Sequence, residues 1–172
     1  SKNTTLVSLV TLIEKNLMRE IGKIEKVRKF LGETWSFVKR IKVMDSGIED
    51  GRSIEDLDVL IDNFSYSLAK TCKRITNPEK DEDSYDGIVF FIDEADSACD
   101  DLHIGYFFKI VTELLQKNDC SNVMFVVAGL PDVIEKLSNS HESSIRIFSH
   151  LKVKELTPDE RKYVIDRGIS AG

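Results

Sequence analysis

Ile88-Val89-Phe90-Phe91-Ile92-Asp93-Glu94 sets five apolar, strand-forming residues directly before a carboxylate pair, with Ala95-Asp96 following. An apolar run of that length predicts a strand buried on both faces, as in a parallel sheet. Two acids at its end suit the holding of a magnesium ion and the orientation of a water. They equally suit a plainer role, because acids after a strand open loops and cap the next helix, and taken alone the residues leave the two readings level. No Gly-x-x-x-x-Gly-Lys-Ser/Thr loop occurs anywhere in the 172 residues to cradle phosphates.

Downstream, Asn122 to Ala128, with Val-Met-Phe-Val-Val inside, predicts a second buried strand ending at Gly129-Leu130-Pro131. Its distance from the first is about that of one β-α-β unit, and Leu102, Tyr106, Ile110, Val111 and Leu114 between them trace a helix. Leu151 to Lys154 predicts a third, short strand. Thr157-Pro158-Asp159-Glu160 then supplies a helix cap, a proline at the first helical position and a reciprocal glutamate, and Gly168 marks the expected stop. Upstream, apolar residues every three or four positions from Leu6 to Leu31 predict one long amphipathic helix. Ile41-Lys42-Val43 alternates as a short strand or hairpin arm would before Gly47 and Gly51. Ser53-Ile54-Glu55-Asp56 resembles a capping box, and the stripe Ile54, Leu57, Ile61, Phe64, Leu68, Cys72, Ile75 predicts a helix ending near Asn77-Pro78. Buried strands alternating with helices predict an α/β chain with a three-layer parallel sheet and flanking helices. In such sheets chemistry gathers at the carboxyl ends of the strands, which brings Asp93, Glu94 and Gly129 together.

A chain 41% hydrophobic and 31% charged is an ordinary globular composition, which removes the disordered and collagen-like classes. A net charge of −6 argues against a surface basic throughout, while leaving room for a local patch. Cys72, Cys99 and Cys120 are widely spaced and show no Cys-x-x-Cys pair, so neither a disulfide framework nor a zinc site is suggested, and a reducing cytoplasm is the expected home. No run approaches the roughly 20 apolar residues of a membrane span. His103, His141 and His150 share no ligand spacing, and Phe90, Phe91, Phe107, Phe108 and Phe125 read as core.

Ile88 to Asp96 resembles the Walker B element of AAA+ ATPases, and Val123 to Val133, with Ala128-Gly129-Leu130-Pro131-Asp132, is similar to their sensor 1 strand. Ser144-Ile145-Arg146-Ile147-Phe148, Leu151-Lys152-Val153 and Leu156-Thr157-Pro158-Asp159-Glu160 resemble ATPases of the origin-recognition-like and transposition-helper type. The likeness covers Gly87 to Gly168, and the first half only by general layout. It implies a P-loop NTPase-like fold lacking its first strand and phosphate loop, both expected upstream of Ser1. Residues 1–172 would then be a partial ATPase domain, with a helical and hairpin region over 1–78 and the Walker B to post-sensor 1 region over 79–172. The absent strand would lie between the Asn122 and Leu151 strands.

The same resemblance implies Mg2+ and ATP as cofactors, each expected only with the phosphate loop. Asp93 would hold magnesium and contribute to nucleotide binding, Glu94 would polarise the attacking water, and Gly129 would border the nucleotide. Arg146 would be an arginine finger reaching a neighbouring subunit, or more simply a surface arginine between two core isoleucines. Implied partners are ATP, further copies in a homo-oligomer, and a DNA or protein client, with no membrane. Departures are plain. Gly47-Ile48-Glu49-Asp50-Gly51-Arg52-Ser53, the nearest imitation of a phosphate loop, is one residue short, has Arg for Lys and carries two acids. Ala128-Gly129 stands where the family places Asn, Thr or Ser. Two alternatives stay open: a DEAD-type helicase piece, because Asp93-Glu94-Ala95-Asp96 spells that motif though no Ser-Ala-Thr follows, and a non-catalytic binding module.

Overall fold

Apolar stripes dictate most of the helices. The computed structural model describes residues 6–45, 54–80, 83–97 and 103–171. The stripe beginning at Leu6 folds as α1 (Leu6–Ile21), which buries Leu6, Val7, Val10, Ile13 and Leu17, and α2 (Glu25–Thr34), which buries Val27 and Leu31. The expected single helix is broken at residues 22–24. Gly22 donates its N–H to the Met18 carbonyl at 3.1 Å, and a Cβ on Gly22 would stand 2.4 Å from that oxygen, so the close approach that ends α1 requires glycine.

Residues 36–45, expected to include a hairpin arm at Ile41-Lys42-Val43, form a further helix, α3 (Ser36–Asp45). Phe37, Val38 and Ile41 explain why: their spacing is helical, and Phe37 and Val38 are buried beside Trp35. The next helix, α4 (Ile54–Thr76), stops two residues before Pro78, as the residue preceding a proline disfavours helical backbone. Ser53, and with it the start of the expected capping box, lies outside the described residues, as do Gly47–Arg52, Cys99 and Leu102.

Strand β1 (Ile88–Ile92) pairs in parallel with β2 (Val123–Val127), Ile88 opposite Val123 and Ile92 opposite Val127. Between them runs α5 (Ile104–Lys117), and after β2 come α6 (Val133–Ser140) and α7 (Pro158–Ala171). Short 3-10 turns occupy Ala95–Ser97 and Ser144–Ile147.

This architecture corrects the expected three-layer parallel sheet. The described chain is mostly helix, and its sheet has two strands. Leu151–Lys154, expected as a third strand, forms no ladder, and Leu151 and Val153 are 90% and 86% exposed. Nor are the strands buried on both faces. Phe125 turns inward onto Phe108 and Phe90 stacks on Phe125, whereas Val89 and Met124 are exposed and Phe91 is 79% exposed, so Phe91 is not the core residue its apolar setting suggested. An apolar run has no period to say whether both faces are covered. The cap expected at Thr157 is present: Glu160 accepts from the Thr157 N–H at 2.7 Å and from its hydroxyl at 2.8 Å, holding the Glu160 carboxyl below its ordinary pKa, while the Glu160 N–H donates back to Thr157 Oγ1 at 3.3 Å. Gly168 does not stop α7, which runs on to Ala171. A glycine inside an exposed helix costs about 0.5–1 kcal/mol relative to alanine without ending it.

The helical and strand portions share one core. Trp35 Nε1 donates to Thr71 Oγ1 at 2.9 Å, Thr71 donates on to the Ser67 carbonyl at 2.8 Å, and Ser67 Oγ donates to the Thr34 carbonyl at 2.9 Å. This network satisfies polar groups that would otherwise be stranded where α2 meets α4. Aromatic rings continue the join into α5 and the sheet through Phe64, Phe107, Phe108 and Phe125. Phe108→Ala is expected to remove about 3–5 kcal/mol of unfolding free energy, read from urea denaturation. Phe91→Ser should change it by under about 0.5 kcal/mol, and an equal loss at both positions would contradict the open face.

Candidate functional site

The carboxylate pair lies where β1 ends. Asp93 and Glu94 are both exposed, and backbone hydrogen bonds bracket them: the Ala128 N–H donates to the Ile92 carbonyl at 2.8 Å, and the Ala95 N–H donates to the Ala128 carbonyl at 3.0 Å. Ala95 itself is buried, so the turn is fastened on both sides of the acids. Within it Asp93 Oδ1 accepts the Glu94 N–H at 2.9 Å. Glu94 has φ of 52°, the left-handed region, which costs a residue bearing a Cβ roughly 1–2 kcal/mol. Neither carboxylate forms an ion pair with another described residue.

Asp96 performs the structural work of this corner. Its Oδ1 accepts the Leu130 N–H at 2.9 Å, and its carbonyl accepts Lys136 Nζ. Gly129 passes close by, since a Cβ there would lie 2.6 Å from Asp96 Oδ1 and 3.3 Å from the Val133 Cβ. The β2–α6 connection is thereby drawn against the β1 terminus, and Asp93, Glu94 and Gly129 share one end of the sheet, as the strand-end argument expected.

Arg146 is exposed on the 3-10 turn Ser144–Ile147, which packs on α5 and α6. Ile145 beside it is half-buried and Ile147 exposed, so they are not a pair of core residues. No described hydrogen bond or ion pair joins Arg146 to Asp93, Glu94 or Gly129. The cavities at the α1–α2 turn, one lined by Glu20, Lys23, Arg74 and Tyr85 and the other by Lys23, Glu25, Arg28 and Lys29, contain none of the four candidate residues.

Two exposed carboxylates suit Mg2+, which keeps several of its waters and takes one or two protein acids. Among the described residues no group of three or more His, Cys, Asp or Glu converges as an all-protein metal cage. No Gly-x-x-x-x-Gly-Lys-Ser/Thr motif accompanies the two carboxylates in the sequence.

The spacing of the cysteines concealed a contact. Cys72 on α4 and Cys120 after α5 are both buried, free thiols within hydrogen-bonding reach of each other, and Cys72 Sγ also donates to the Asn122 carbonyl at 3.3 Å. Burial, and then the neighbouring Cys120, push the Cys72 thiol up to about 12. Only the tertiary packing of α4 on α5 brings them together, which no local pattern encodes.

No protein-family model, curated protein or solved structure matches this sequence. Among the described residues no helix is long and apolar enough to cross a membrane.

Two measurements test this geometry. Glu94→Gly relieves the left-handed backbone and should raise unfolding free energy by about 0.5–1 kcal/mol, seen as a higher urea midpoint. Because the folded chain keeps Cys72 neutral while the unfolded chain ionises it near 9.0, its contribution is intact below that pH and lost as pH rises toward about 12. Cys72→Ala should therefore flatten the fall in the urea midpoint between pH 8 and pH 10.5.

Proposed function

We propose that this chain supplies the acidic half of a Mg-ATP site, in a protein that couples ATP hydrolysis to a change of conformation or assembly. The observation that carries the reading is the placement of Asp93 and Glu94: consecutive, exposed, at the carboxyl end of a parallel strand, and clamped by hydrogen bonds on either side to Ala128. The likeness of Ile88–Asp96 to a Walker B element supports it.

In this reading Asp93 would be the residue that holds magnesium, which when bound would supply charge neutralisation for the phosphates. Glu94, fixed by its backbone, would be the carboxylate that accepts a hydrogen bond from a water and serves as its general base. Gly129 keeps the adjoining connection free of side chain, and Arg146 is assigned to stabilising charge across a subunit boundary. The phosphate cradle is assigned to another segment or partner, since no Gly-x-x-x-x-Gly-Lys-Ser/Thr motif occurs in these 172 residues. Further copies of the chain and a DNA or protein client are the partners this activity calls for, and a reducing cytoplasm suits the free Cys72 and Cys120 thiols.

Isothermal titration with Mg-ATP provides the test. The 172-residue chain alone should show no binding tighter than about millimolar, whereas the full-length natural protein should bind in the micromolar range typical of nucleotide enzymes. In the full-length protein Glu94→Gln should retain binding and slow turnover by about 10²-fold or more. Tight binding by the short chain, no binding by the full-length protein, or unchanged turnover in the variant would each overturn the assignment.

A further inference from the structure

Charge is divided unevenly along the chain. Residues 1–45 hold ten Lys and Arg against five Asp and Glu, a net of +5, so the remainder carries −11 to reach the total of −6. Such asymmetry between segments is the mark of a surface made for a polyanion. The fold concentrates the excess. Lys15 and Arg19 are four residues apart on the exposed side of α1, and Lys23 continues the spacing in the turn that follows, each step advancing about 6 Å along a helix axis. Lys23, Arg28 and Lys29 then line an open groove of about 430 Å³ in which Glu25 is the acid. Arg28 is anchored there by Nε, which donates to the Gly22 carbonyl at 2.9 Å and occupies one of the guanidinium's five donors.

This face is not available to the core. Val10, Ile13 and Leu17 of α1 and Val27 and Leu31 of α2 point the other way, into the packed interior. The pair Arg19–Glu20, 2.7 Å apart with both side chains well exposed, is weakly held, so a phosphate can replace Glu20 at little cost.

The chemistry of the surroundings selects among polyanions. Single strands are gripped by stacking successive bases on exposed aromatics, but here Trp35 and Phe37 are buried, Phe30 is packed against the core, and Tyr85, in the cavity that Lys23 also lines, is the one exposed ring the described residues place beside the row. A membrane surface is held best where apolar side chains insert beside the basic ones, and a single exposed leucine, Leu12, lies on this side of α1, which leaves charge alone to favour lipid. What is left is a row of basic heads with one leucine and one tyrosine beside it, too few to stack a run of bases or to seat a helix in lipid. We infer that Lys15, Arg19, Lys23, Arg28 and Lys29 form a docking surface for the phosphate backbone of a nucleic-acid duplex, bound without regard to sequence. This stands apart from the nucleotide reading of Asp93 and Glu94 and holds or fails without it.

Fluorescence anisotropy with two labelled 20-base-pair duplexes of unrelated sequence decides the matter. Both should bind with equal affinity in the micromolar to 100 micromolar range at low salt, and log affinity should fall against log salt with a slope of about −3 to −4.5 for three to five phosphate contacts. Combined Lys15→Glu, Lys23→Glu and Lys29→Glu should weaken binding at least tenfold, with helicity unchanged by circular dichroism since all three residues are exposed. Combined Lys152→Glu, Lys154→Glu and Lys162→Glu makes the same charge change on the exposed C-terminal segment and should weaken binding less than threefold. The inference is overturned by no duplex binding at low salt, by equal losses in the two triple variants, or by tighter binding to a single strand, an acidic peptide or phosphatidylserine vesicles.

Discussion

A continuous run of touching aromatic rings holds the molecule together. Phe37 stacks on Trp35, Trp35 meets the edge of Phe64, Phe64 packs on Phe107, and Phe108 passes the contact to Phe125 and Phe148, with Phe90 stacked on Phe125. Each such pair adds about 0.5–1.5 kcal/mol beyond the area it buries. More important is what the run connects: the end of α2, then α3, α4, α5 and both strands. A two-stranded parallel ribbon has no independent stability, so β1 and β2 exist because Phe90 and Phe125 rest on this column. The position of Asp93 and Glu94 at the ribbon's end follows from it in turn.

Periodicity in the sequence identified α4, α5 and the two strands, because their apolar residues recur at clear intervals or in unbroken runs between turn residues. The carboxyl-end grouping of Asp93, Glu94 and Gly129 was legible for the same reason. The break at Gly22 was hidden, since a glycine inside a stripe shows its close approach to Met18 only in three dimensions. The α3 segment misled because Ile41-Lys42-Val43 alternates over three residues, too few to outweigh Phe37 and Val38 anchoring a helix against Trp35. Leu151–Lys154 has the composition of a strand but meets no partner, and a strand is a property of two segments. The left-handed Glu94, the clasp of Asp96 on Leu130 and the Cys72–Cys120 contact carry no sequence signature at all.

The two proposed surfaces have opposite electrostatic character. Acidic residues close the ribbon, and basic residues line the α1–α2 turn, with α2 packed on α4 and α4 on α5 between them. The aromatic column lies between them, and its close packing leaves little room for continuous adjustment.

The ribbon also has a polarity that matters for how molecules meet. Its two outer borders are unlike, one belonging to β1 and the other to β2, and neither is paired with another described strand. When one molecule's β1 border joins the next molecule's β2 border in the same direction, the contact is head-to-tail and regenerates a free border at each end. Unless the rotation per step closes a ring, such growth is open-ended and yields a filament rather than a symmetric dimer.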